Sequence, residues 1–165
     1  MLYNIRHCAP GDVPALVQLC AKHAAHERAC YSSDDKVRRL TAAIFGSTPA
    51  LHCYVIEFEQ RMVGYFSFTF DFSTWEARRF LYLDCLYLDV EYRRLGIGRE
   101  VFNILVDRGL EMQCVSIQWQ TPVFNENAIK FYSKVGGVAK EKMRYSLPLE
   151  TKTERRHGIT SSEID

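Results

Sequence analysis

The chain has 165 residues, of which 47% are hydrophobic and 13% aromatic; this suits one packed domain and excludes wholesale disorder. Lysine and arginine (21) nearly balance aspartate and glutamate (20), and a net charge of +1 gives no general affinity for nucleic acid or an anionic membrane. No apolar run reaches the ~18 residues of a membrane-spanning helix, and the opening MLYNIRHCAP has no apolar stretch of the signal-peptide kind, so a cytoplasmic chain with reduced thiols is expected.

In chain order, YNIRHC alternates as a strand does. GDVPALVQLCAKHAAHERA predicts a helix, with Asp12 at its cap, Pro14 in its first turn, and Val13, Leu16, Val17 and Cys20 as its apolar face. SSDDKVRRLTAAIFG predicts a second helix that opens on Ser or Asp and closes at Gly46. LHCYVIEFE and MVGYFSFTFDF are β-rich runs separated by QR, the pattern of a tight hairpin. After the polar break STWEAR comes another strand, RFLYLDCLYLDV. GREVFNILVDRGLEM then carries apolar residues at 101, 104, 105 and 110, the spacing of a helix. CVSIQWQ predicts a strand. FNENAIKFYSKVGG predicts a helix capped by Asn125 and stopped by Gly136 and Gly137. GVAKEKMRYSLPL supplies one or two closing strands, and ETKTERRHGITSSEID is a polar tail. The order β-α-α-β-β-β-α-β-α-β-β predicts a single α/β (α+β) domain over residues 1–149, with a mixed, mostly antiparallel sheet of six or seven strands and about four flanking helices; residues 150–165 are the tail.

The stretch EYRRLGIGRE joins the apolar strand to the following helix and has the chemistry of an anion loop. Its glycines let backbone N–H groups approach an oxygen closely, a helix N-terminus adds partial positive charge, and Arg93 and Arg94 stand beside it. It is not a dinucleotide fingerprint, because Val101 stands where the third glycine belongs. It is not a P-loop either, because Arg99 and Glu100 follow Gly98 in place of Lys and Ser or Thr.

What remains is R-x-x-G-x-G (Arg93, Arg94, Leu95, Gly96, Ile97, Gly98) between a strand and a helix. It is followed one strand later by N-x-x-A-x-x-F-Y (Asn125, Ala128, Phe131, Tyr132). This pattern resembles the Gcn5-related N-acetyltransferase family across residues 3 to about 149, and most closely its diamine (spermidine/spermine) acetyltransferase branch. The resemblance implies that acetyl-coenzyme A is bound and its acetyl group passed to an amine. The pyrophosphate would lie on backbone N–H groups from Arg93 and Arg94 through Leu95, Gly96, Ile97 and Gly98 to Arg99. The pantetheine arm would pair with main chain at Leu86, Tyr87 and Leu88, where one N–H would polarise the thioester carbonyl. Asn125, Asn127 and Ala128 would complete the cofactor side.

The resemblance also implies three side-chain tasks. Asp84, where the branch usually has glutamate, would take the proton from the incoming ammonium directly or through water. Tyr132 would act as acid toward the departing coenzyme sulfur. Glu27, Asp71 and Trp75, with Asp84, would hold the amine, by charge and by stacking of an ammonium on the indole. The acceptor implied is a small primary amine, a polyamine or diamine first, with an amino-acid-like amine, an aminoglycoside, a protein amine or a non-catalytic acyl-coenzyme A sensor as alternatives. A homodimer is implied as well, with no partner among nucleic acids or membranes. His23 and His26 share one helix face but lack an evident third ligand, so no metal is expected. Cys85 reads as core packing, because no activating histidine is adjacent to it in the sequence.

Overall fold

The computed structural model describes residues 3–149. The elements are β1 (Tyr3–His7), α1 (Val13–His26), α2 (Lys36–Phe45), β2 (His52–Phe58), β3 (Arg61–Ser73), β4 (Arg78–Leu88), α3 (Ile97–Glu111), β5 (Ile117–Gln118) and α4 (Glu126–Lys134). The five strands form one sheet in sequential order, with every pair antiparallel except β4 and β5, which run parallel. No helix among the described residues is long and apolar enough to cross a membrane.

Strand alternation sorts the core onto two faces. Tyr54, Ile56, Phe66, Phe68, Leu81 and Leu83 pack against Ile97, Val101, Phe102 and Leu105 of α3. Cys53, Val55, Tyr65 and Tyr87 point the other way, onto Leu16 and Leu19 of α1 and Ile44 of α2. A period of two on the strands therefore feeds two helical layers, as a sheet buried on both faces requires. The β2–β3 turn is Glu59-Gln60 with φ of 49° and 66°, both positive, which suits the twist of a two-residue hairpin.

Two local expectations change. Asp12 stands at the start of α1 but does not cap it. Its carboxylate accepts from Arg6 at 2.6 and 3.0 Å and from the Ala9 N–H at 2.7 Å, because a guanidinium fork outcompetes one helix N–H. The expected strand CVSIQWQ shrinks to Ile117–Gln118, since β5 leaves β4 after Tyr82.

The sheet also has five strands among the described residues where six or seven were expected, because GVAKEKMRYSLPL pairs with nothing. Met143, Tyr145, Leu147 and Leu149 keep a strand's alternation yet are all exposed. Pattern alone does not make a strand. A ladder partner is needed, and the two-residue β5 presents too short an edge. The expected 150–165 tail lies outside the described residues.

Candidate active site

The site begins with an irregularity in β4. Cys85 pairs with Ser67 and Leu83 with Phe68, so Asp84 is the extra residue of a β-bulge. The bulge reverses the parity of the strand. Leu81 and Leu83 before it face α3, and so do Leu86 and Leu88 after it, while Cys85 and Tyr87 face α1. Asp84, at the reversal, joins neither core cluster and is exposed; its carboxylate accepts from Ser67 Oγ at 3.3 Å.

Beyond Tyr82 the β5-side peptide groups of β4 have no strand partner among the described residues. This wedge between diverging strands is a backbone edge that an extended ligand can complete, and it includes Leu86, Tyr87 and Leu88.

At the end of this edge stands the glycine loop. Gly96 has φ of 86°, and Arg94 is also left-handed at 65°. The backbone N–H groups of residues 94 to 98 meet no protein acceptor among the described residues, and they cluster at the first turn of the 15-residue α3. Together these form an anion cradle. Gly98 serves packing too. A Cβ there would come within 2.8 Å of the Phe131 ring, so glycine lets α4 sit against the start of α3. Arg94 and Arg99 are exposed beside the cradle. Arg93 also has a structural task. Its Nε donates to the Leu88 carbonyl at 2.8 Å, tying the loop to the end of β4.

On the α3 face, α4 brings Tyr132 to the wedge. The ring packs on Trp119, Phe131 and Phe102 at 5.3, 5.4 and 5.9 Å between centroids. Burial pushes its phenol up to about 12, helped by the charge of Glu27, so it keeps its proton at neutral pH. Asn125 caps α4, its Oδ1 accepting from the Ala128 N–H at 3.2 Å. Asn125→Ala should cost about 1 kcal/mol of stability, read as a lowered midpoint in chemical denaturation. Asn127 is exposed in the first turn.

On the other face, α1 is pinned to β4. Lys22 Nζ lies 2.9 Å from both oxygens of the buried Asp89, which also accepts from Tyr87 Oη at 3.0 Å. The next residue, His23, lies against Tyr65 and Tyr87 of the sheet. Its Nδ1 lies 3.1 Å from Tyr65 Oη and its Nε2 lies 3.3 Å from Glu27 Oε1. At the end of α1, Arg28 rests 4.3 Å above the Phe124 ring, joining it to the approach to α4.

His23, Glu27, Leu83, Asp84, Leu86, Trp119, Gln120 and Tyr132 line one cleft. Glu27, Asp84 and Tyr132 are thus brought together from three separate stretches of chain. Asp71 and Trp75 are not. Asp71 is exposed on β3 and accepts from Thr69, while Trp75 is 94% exposed on the β3–β4 turn. Another hollow, formed by Arg78, Arg79, Met112 and Gln113, presents cations and would repel an ammonium. The expected reading of Cys85 holds, since burial and the charge of Asp84 push its thiol up to about 12, unreactive at neutral pH. No metal-binding group of three ligands occurs among the described residues.

A strand pair that splays beside a bulge, with an N–H cradle at its open end, can take an extended ligand that carries an anionic group. A family model described as "Acetyltransferase (GNAT) family" matches residues 16–137. The chain belongs to this family.

The acetyltransferase is 29% identical over 140 residues to a thialysine N-epsilon-acetyltransferase of Bos taurus, covering 80% of this chain and 82% of that protein. It is 26% identical over 143 residues to a human spermidine/spermine N(1)-acetyltransferase-like protein 1, covering 82% of this chain but 20% of that one. Among solved structures, a possible acetyltransferase from Clostridium difficile 630 superposes with a TM-score of 0.75 at 20% identity. It covers 92% of this chain and 100% of that one, a likeness of fold.

Four lining residues of this acetyltransferase were not assigned to the site from its sequence, among them Leu83, a core residue of β4. Trp119 and Gln120 follow the truncated β5 and carry no motif. His23 did leave a signal. Val13, Leu16, Cys20, His23 and Glu27 fall at spacings of three and four, so the apolar stripe of α1 runs on into the cleft as a histidine and a glutamate.

Proposed function

We propose that this N-acetyltransferase takes its acetyl group from acetyl-coenzyme A and passes it directly to a primary amine of a small, cationic molecule, within one ternary complex. The acceptor class is that of diamines, polyamines and lysine-like amines. The relatives named for thialysine and for spermidine/spermine support this class. The observation that carries the reading is the pairing of two carboxylates, Asp84 on the bulge and Glu27 on α1, in the cleft that Tyr132 also lines.

In this reading the 94–98 N–H groups hold the pyrophosphate, and the open edge at Leu86, Tyr87 and Leu88 pairs with the pantetheine arm. An N–H at Leu86 or Tyr87 then polarises the thioester carbonyl. Asp84 and Glu27 attract the ammonium and favour its approach to the thioester, with Asp84 nearest the reacting strand. Tyr132 donates a hydrogen bond to the sulfur as it leaves. The free thiols at all six cysteines support a reducing, cytoplasmic setting. The exposed alternating side chains from Met143 to Leu149 support a homodimer in which a second copy covers them.

The test is coenzyme A release from acetyl-coenzyme A across spermidine, spermine, putrescine, thialysine, lysine, an aminoglycoside and a short peptide. Turnover on the diamine or lysine-like amines is expected, and Asp84→Asn, which removes one charge that holds the amine, should lower it roughly 10²-fold. Turnover confined to the peptide or the aminoglycoside would overturn the acceptor class, and no turnover at all would overturn the reaction.

A further inference from the structure

Beneath Asp84 and Glu27 lies a titratable group to which the proposed chemistry gives no task. His23 is only 13% exposed at its side chain, against 37% for Glu27, and both face the cleft. Its two ring nitrogens have different surroundings. Nδ1 is within hydrogen-bond distance of the buried Tyr65 hydroxyl, and the ring lies against Tyr87 at 5.4 Å between centroids. Nε2 looks toward Glu27 and the cleft.

We propose that His23 Nε2 is the atom that receives the proton of the incoming ammonium, with Tyr65 as a positioning residue that fixes the ring and its tautomer. The inference rests on the acetyl-transfer reading above. With the amine bound, Nδ1–H donates to Tyr65 Oη, and the ammonium donates one N–H to Nε2 and another to the Glu27 carboxylate beside it, so the Nε2 lone pair faces the reacting amine. An N–H bond of the ammonium breaks, its electron pair stays on nitrogen as the nucleophile, and Nε2–H forms. The charges of Glu27 and Asp84 favour the resulting imidazolium. It returns to the neutral ring by passing this proton through Glu27 to solvent.

Chemistry favours this acceptor over the carboxylates. A primary amine near 10.4 gives up its proton with less difficulty to an imidazole near 6.5 than to a carboxylate near 4. Burial also lowers the His23 pKa, and although Glu27 and Asp84 raise it and His26 lowers it further, the net direction is down. The ring is therefore neutral at pH 7 and able to accept. The groups facing it are Glu27 and His26 from α1, Tyr65 from β3, and Asp84 and Tyr87 from β4.

The experiment compares pH profiles of amine acetylation for wild type, His23→Gln and Tyr65→Phe, with the His23 ring titrated by NMR in the wild type. The wild type should show an acidic limb with an apparent pKa below 6.5 that matches the NMR titration, because activity needs the neutral ring. His23→Gln should lose that limb and fall about 10²-fold in kcat near pH 7, with a smaller change in KM for the amine. Tyr65→Phe should move the limb to lower pH, since the imidazolium loses more than the neutral ring when the Nδ1 acceptor goes. It keeps the proposal testable should His23→Gln fail to fold. A limb unchanged in both variants, or an NMR titration that disagrees with it, overturns the inference while acetyl transfer stands. A wild type inactive on every amine overturns the acetyl-transfer reading and this inference with it.

Discussion

Tyr132→Phe should lower turnover by a factor between about 10² and 10⁴, the range of a well-placed proton donor. The substitution removes one oxygen and keeps the ring that Trp119, Phe102 and Phe131 enclose, so fold and helix position should survive. The residue lines the cleft, and the variant keeps its ring packing, so the loss can be read as chemistry. If the hydroxyl acts on the leaving sulfur, kcat and kcat/KM should fall together while the dissociation constant of acetyl-coenzyme A stays put. The pH dependence follows from the raised pKa. A phenol held at about 12 is protonated across the neutral and mildly alkaline range, so Tyr132 should impose no alkaline loss of activity through pH 9. Turnover at the wild-type level in the phenylalanine variant would remove Tyr132 from the reaction and leave it as an anchor for α4.

Phe66→Ala should cost about 3–5 kcal/mol of unfolding free energy, near the upper limit for a core truncation. Phe66 is wholly buried at the centre of the sheet and stacks on Tyr54 at 4.9 Å, with Phe68 at 6.4 Å. It pairs with Leu86 on β4, so the cavity would open directly beneath the strand whose far edge forms the ligand groove. A midpoint lower by roughly 10 °C in thermal unfolding is expected for a domain of this size. A fall in acetyl-coenzyme A affinity should accompany it. A fall of less than about 1 kcal/mol would mean that α3 collapses into the space.

Much of the fold was legible because its signals are local. The hairpin over residues 52–73 is written in β-rich alternation around a two-residue break, and α4 in its cap and its closing glycines. The glycine loop was legible for the same reason, since left-handed backbone and a helix start are properties of a few adjacent residues. Asp84 was legible as an acid in an apolar strand. Its presentation was not, because the bulge arises from how β4 registers against β3, twenty residues away or fewer in sequence but settled by packing on both faces.

Other features needed the whole molecule. GVAKEKMRYSLPL has a strand's alternation, yet whether it pairs depends on the edge available to it, and the short β5 offers little. Trp75 and Asp71 stand apart from the cleft for a related reason, as a long hairpin carries its tip away from the bulge. His23 read as one of a surface pair on a helix. The docking of α1 on β3 and β4, where His23 meets Tyr65 and Tyr87, brings it into the cleft that Asp84 lines.

The sequence by itself determined the order of elements through α4 and the anion loop, because propensity, periodicity and turn chemistry act between near neighbours, and its two spaced motifs carried the resemblance to an acetyltransferase family. The tertiary structure alone decided the parity reversal at Asp84, the open edge of β4, and the meeting of His23, Glu27 and Tyr132. Those depend on strand register and helix docking, where distant residues compete for the same space and one residue's shift re-aims every side chain after it.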